Sequence, residues 1–138
     1  MRPMRDSVAT ISVLLADDSE TVLEELRGEL GSQFKILGAV ANGQDAVDAV
    51  LRLDPDVLVL DISMPVLNGI QAASCLRESH PRTKILFLSI HEQSEYIAAA
   101  FSAGASGYVT KRRLVNDLAT AISEVVQGHL FLSPSLHK

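Results

Sequence analysis

Short, almost uninterrupted apolar runs alternate along this chain with segments of helical periodicity, and that alternation narrows the fold more than any other feature. The runs cover residues 11–16, 34–40, 57–60, 85–88 and 107–109. After them Val22, Leu23, Leu26 and Leu30, then Ala46, Val47, Val50 and Leu53, then Ile70, Ala73 and Leu76 recur at helical spacing. Tyr96, Ile97, Ala100 and Phe101 make a fourth stripe, and Leu114, Leu118, Ala121, Ile122 and Val125 a fifth. Gly31, Pro55, Pro81 after His80, Gly104 and Gly128 close the stripes, as glycine and proline do at helix ends. A strand with one wet face alternates apolar with polar residues, whereas a strand covered by helices on both faces has no polar side.

Strand followed by helix, repeated five times, predicts a doubly wound α/β domain with a parallel sheet. The expected strand order is 2-1-3-4-5, that of flavodoxin-like (βα)5 folds, whose ligand site lies at the carboxyl ends of the first and third strands. The length of 138 residues fits one such domain. Residues 1–10 read as a loose arm, 11–128 as the domain, and 129–138, with Pro134 and two serines, as a linker. Twelve basic against 17 acidic side chains leave a net charge of −5, which argues against direct nucleic-acid binding, since that binding is driven by neutralising phosphates. Cys75 is the sole cysteine and has no disulfide partner, so a reducing, cytoplasmic setting is expected. Residues 1–7 are charged and no apolar core follows them, so neither a signal peptide nor a membrane span is read.

In a parallel sheet the carboxyl ends of the strands share one edge. Asp17 and Asp18 follow the first strand, Asp61 the third, Ser89 the fourth and Lys111 the fifth. Two carboxylates ~4 Å apart repel by about 4 kcal/mol at an effective dielectric near 20, which calls for raised pKa values or a bound cation. Oxygen ligands with a partly open shell suit Mg²⁺, which keeps waters and phosphate oxygens in its shell. A lysine and a hydroxyl beside them suit phosphoryl oxygens. These residue types predict a Mg²⁺-assisted phosphoryl site with a carboxylate acceptor.

The set Asp17-Asp18, Leu60-Asp61-Ile62-Ser63-Met64-Pro65-Val66-Leu67-Asn68-Gly69, Leu88-Ser89 and Gly107-Tyr108-Val109-Thr110-Lys111 resembles the receiver domains of two-component response regulators. The runs Ala103-Gly104-Ala105-Ser106-Gly107-Tyr108 and Gly128-His129-Leu130-Phe131-Leu132-Ser133-Pro134 resemble the NarL/FixJ (LuxR-type) subfamily more narrowly. The resemblance implies that Asp61 accepts a phosphoryl group from a sensor histidine kinase. It implies that Asp18, Asp61 and the Ser63 carbonyl bind Mg²⁺, with Asp17 acting through water. Lys111 would hold a phosphoryl oxygen, Ser89 would turn toward the phosphoryl group, and Tyr108 would swing in behind it. That switch would change the surface of helix four, strand five and helix five. Output would be transcription regulation through a helix-turn-helix domain outside these residues.

Several positions carry a plainer reading. Asp17-Asp18-Ser19 suits a helix N-terminus, Cys75 a small buried core side chain, and His91 a solvated loop. Tyr108 beside Gly107 is compatible with packing alone. Arg112 and Arg113 read as a surface pair at the start of helix five. Many relatives place proline in a cis peptide where this chain has Arg112, so a trans Lys111–Arg112 bond is expected here. A second apolar stripe on helix five, Val115, Ala119, Ile122 and Val126, is either extra burial or a homodimer surface. Other functions fit less well. An aspartyl-phosphate phosphatase would carry an acid two residues beyond Asp61, where Ser63 stands. A flavin or nucleotide module would want a phosphate-cradling loop where Asp17 and Asp18 stand. A stand-alone or phosphate-independent interaction module is the remaining alternative.

Overall fold

The apolar runs become the strands of one parallel sheet, and the pleat divides each run between two cores. The computed structural model describes residues 11–80 and 82–136. The arm read over residues 1–10 and the last two residues of the 129–138 tail lie outside them. Strands β1 (Ser12–Ala16), β2 (Lys35–Val40), β3 (Val57–Leu60), β4 (Lys84–Ser89) and β5 (Gly107–Thr110) alternate with helices α1 (Glu20–Leu30), α2 (Gly43–Leu53), α3 (Gly69–Ser79), α4 (Ser94–Ser102) and α5 (Leu114–Val126). The sheet order is β2-β1-β3-β4-β5, as expected, with a sixth strand β6 (Phe131–Leu132) added beyond β5, and every pairing is parallel.

Successive strand residues point to opposite faces. Leu14, Ala16, Leu58, Leu60, Ile85, Phe87 and Tyr108 pack under α2, α3 and α4, while Val13, Leu15, Val57, Val59, Leu86, Leu88 and Val109 pack under α1 and α5. Helices on both faces leave β3 no wet side, and all four of its residues are buried. Truncating one of these leucines to alanine would cost about 2–5 kcal/mol through lost burial and the cavity left behind.

Two side-chain expectations change. Cys75 is exposed rather than buried, because α3 gives Ala72, Ala73 and Leu76 to the core and turns Gln71, Cys75 and Glu78 to solvent. The second stripe of α5 is divided. Ile122 is fully buried, Ala119 and Val126 lie against the same core, and Val115 is 62% exposed. Among the described residues no peptide bond is cis, so Lys111–Arg112 is trans, and no helix is long and apolar enough to cross a membrane.

The stretch read as a linker is partly built into the sheet. Gly128, at φ 92°, reverses the chain after α5 in a conformation that suits glycine. The Phe131 N–H then donates to the Ser106 carbonyl and the Ser133 N–H to the Tyr108 carbonyl, both at 3.0 Å. Ser133 is fully buried, and its hydroxyl accepts the Thr110 N–H at 3.3 Å. Ser133→Ala therefore strands a buried donor one residue before Lys111. Urea unfolding is expected to show a loss of about 1 kcal/mol; an unchanged midpoint would mean that the anchor contributes nothing.

Candidate functional site

The sheet's hydrogen-bond ladder runs past the strand ends and fixes the first residues of the site. The Asp17 N–H donates to the Val40 carbonyl and the Asp61 N–H to the Ala16 carbonyl, each at 3.0 Å. Asp17 and Asp61 are both buried, and Asp18 is exposed. Oxygens of all three carboxylates lie within 4.8 Å of one another. Asp17 is held from two sides, by the Ser19 N–H at 2.9 Å and by Lys111 Nζ at 2.9 Å. The same ammonium stands 3.4 Å from Asp61 Oδ2. Ser19 also caps α1, accepting the Val22 N–H at 3.3 Å, so the helix start holds alongside the clustering of the three carboxylates.

The charges shift one another. Burial raises the pKa of Asp61, Asp17 raises it further, and Lys111 works in the opposite direction. Burial disfavours the charge on Lys111, but Asp17 and Asp61 outweigh it and hold its pKa above the usual lysine value. One ammonium thus shares two buried carboxylates and leaves the third open to solvent. An all-oxygen donor set with net negative charge is one that can hold a hard cation.

The loop after Asp61 is shaped by close approaches. Leu67 N–H donates to the Pro65 carbonyl at 2.8 Å, closing a three-residue turn on Val66 at φ 70°. A β-branched residue is strained there. Asn68 then caps α3 in a reciprocal box with Gln71. The Gly69 N–H donates to the Ile62 carbonyl at 2.8 Å, and a Cβ at Gly69 would stand 2.1 Å from the Asp61 carbonyl oxygen. Only glycine allows α3 to begin that close to Asp61.

On the other side Ser89 is fully buried, and its hydroxyl accepts the His91 N–H at 3.0 Å. Tyr108 is also fully buried, with its hydroxyl donating to the His91 carbonyl at 2.8 Å. Burial raises its pKa, which keeps the phenol neutral and able to donate. The His91 ring is not the solvated loop group the sequence indicated. Its Nε2 lies 3.1 Å from Ser63 Oγ, and the ring stacks on Tyr96 at 3.9 Å between centroids. Arg112 and Arg113 are each paired within the chain, Arg112 with Glu92 and Arg113 with Asp117. Sequence reasoning noticed His91 and both arginines but not their partners, since nothing in the spacing tells which loops meet.

Asp17, Asp18, Asp61, Ser63, Ser89 and Lys111 thus lie at the carboxyl edge of the sheet, and Tyr108 reaches the His91 loop from within the core. A family model described as the response regulator receiver domain matches residues 13–123. The chain belongs to the response regulator receiver family. The transcriptional regulatory protein DegU of Brevibacillus brevis is 32% identical over 91% of this receiver and 54% of its own length. The chemotaxis protein CheY of Halobacterium salinarum is 38% identical over 83% of this receiver and 95% of its own length. A LuxR-family two-component response regulator from an Aurantimonas species superposes with a TM-score of 0.86 at 31% identity, covering 92% of each chain. The chain spans 54–64% of the length of three transcriptional regulators that it matches.

The raised pKa of Asp61 has a consequence for stability. The folded protein holds the Asp61 proton more tightly than the unfolded chain does, so this group's contribution is greatest at acid pH and is lost as the pH rises through the folded pKa. In chelator near neutral pH, Asp61→Asn is expected to raise Tm by a few degrees, with the gap closing as the pH falls into the carboxylate range. A variant less stable than the parent at neutral pH would contradict the assigned repulsion.

Proposed function

We propose that Asp61 is the phosphoryl acceptor of a signalling receiver, taking its group from a phosphohistidine on a sensor kinase. The observation that carries this reading is the placement of one buried, charge-strained carboxylate beside a second, with an ammonium bridging the two. In the transfer, an Asp61 carboxylate oxygen bonds to phosphorus as the phosphorus–nitrogen bond of the phosphohistidine breaks. The electron pair of that bond returns to the imidazole.

Asp18, Asp61 and the Ser63 carbonyl would hold Mg²⁺, with Asp17 reaching it through water. Bound there, Mg²⁺ supplies positive charge against the acidic cluster and the incoming phosphoryl oxygens. Lys111, already drawn between Asp17 and Asp61, orients a phosphoryl oxygen. Ser89, whose oxygen accepts the His91 N–H, would move toward the phosphoryl group and donate its hydroxyl proton to a phosphoryl oxygen. Tyr108 sits inward behind it, and the two together tie the charge on Asp61 to the α4–β5–α5 surface. The protein acts as a switch, turning over only its own phosphoryl group.

Output through DNA is supported by the relatives named as transcriptional regulators and rests on a helix-turn-helix domain outside these residues. The chemotaxis relative, matched over nearly all of its length, supports a stand-alone receiver as the second reading. Exposed Val115 on α5 is available to a homodimer in either case.

Intact-mass spectrometry after incubation with acetyl phosphate and Mg²⁺ tests the proposal. One phosphoryl group is expected, reduced at least tenfold by chelator and lost in Asp61→Asn. Equal labelling of that variant would remove Asp61 from the role.

A further inference from the structure

Arg112 and Glu92 face each other across the mouth of the site. The guanidinium makes a fork on the carboxylate, Nε to Oε2 at 2.6 Å and the second nitrogen to Oε1 at 3.2 Å. Arg112 follows Lys111 directly, and Glu92 lies three residues after Ser89 and next to His91. The pair therefore joins the two loops that carry the cation and the hydroxyl of the site.

Its neighbours decide what that junction can do. The residue after Arg112, Arg113, reaches the other way and forks onto Asp117 at 2.9 and 3.2 Å. Adjacent arginines in the 3₁₀ turn Lys111–Arg113 are thus tied to different elements, Arg112 to the β4–α4 loop and Arg113 to α5, and both ties hold the turn that Lys111 begins. On the far loop, His91 is held at its N–H by Ser89, at its carbonyl by Tyr108 and at its ring by Ser63 and Tyr96. The fork on Glu92 ties this knot to the Lys111 turn.

We propose that Arg112 and Glu92 act as a clasp that holds the β4–α4 loop closed over Asp61, keeping Tyr108 inward and slowing the approach of water to the phosphoryl group. The clasp rests on the reading of Asp61 given above, and it regulates how long the phosphoryl group persists. Arg112 and Glu92 are positioning residues, touching neither Asp61 nor its ligand. Their side chains are 59% and 35% exposed, so the pair is screened by salt and its effect is modest.

Two readouts separate the clasp from the receiver reading. Hydrogen exchange of peptides covering residues 89–93 in the unphosphorylated protein reports loop opening directly. Decay of the phosphoryl adduct after removal of acetyl phosphate reports access of water. Arg112→Ala and Glu92→Gln are each expected to speed both by about two- to fivefold in low salt. The pair Arg112→Ala with Glu92→Gln should do no more than either alone, and the swap Arg112→Glu with Glu92→Arg should restore most of the protection. High salt should shrink the difference from the parent. Single variants that match the parent in both readouts, or a swap that restores neither, would overturn the clasp. A parent protein that takes no phosphoryl group would overturn the receiver reading and the lifetime claim together, and loop exchange would then judge the closure by itself.

Discussion

Lys111 stands between two buried carboxylates, 2.9 Å from Asp17 and 3.4 Å from Asp61, and the arrangement of the whole carboxyl edge follows from that sharing. A single ammonium does not offset the burial and mutual repulsion of both acids, so the pKa of Asp61 stays raised. The edge is left short of positive charge, with Asp18 open to solvent beside it. Such a donor set is one that can hold a hard cation. The sheet supplies the rigidity. Its ladder reaches Asp17 and Asp61 through their own N–H groups, so the backbone at either position cannot move off the sheet without breaking a strand-end bond.

Around that edge the loops store strain and spend their hydrogen bonds locally. Val66 holds a positive φ with its side chain 80% exposed, so packing does not compensate the strain. The turn it makes lets Asn68 cap α3 and brings Gly69 against the Asp61 carbonyl. On the opposite loop His91 ties Ser89, Tyr108, Ser63 and Tyr96 into one unit. Ser89, at the end of β4, joins that unit through its hydroxyl, which accepts the His91 N–H.

Some of this was legible in the sequence for physical reasons. A strand buried on two faces has to be apolar throughout, so residues 57–60 announced both the strand and its helices. Parallel order then placed Asp17, Asp61, Ser89 and Lys111 at one edge without further information. β6 was not legible, because Phe131 and Leu132 are only two residues long and follow a glycine that ordinarily ends a domain's last helix. Cys75 was misplaced because a short residue between Ala73 and Leu76 looks apolar in composition while the helix turns it outward. The partners of His91, Arg112 and Arg113 lie across loops, where periodicity says nothing. The basic pair at the start of α5 read as a surface pair, and each arginine is taken by an acid of the same chain.

Borohydride trapping reports whether the phosphoryl group is carried by the Asp61 carboxylate, as proposed. An acyl phosphate is reduced by hydride to an alcohol, so a phosphorylated aspartate becomes homoserine at its own position. Peptide mapping after acetyl phosphate, Mg²⁺ and borohydride is expected to find homoserine at position 61 and intact aspartate at positions 17 and 18. Homoserine at 17 or 18, or an acid-stable phosphate ester on Ser63 or Ser89, would contradict the account.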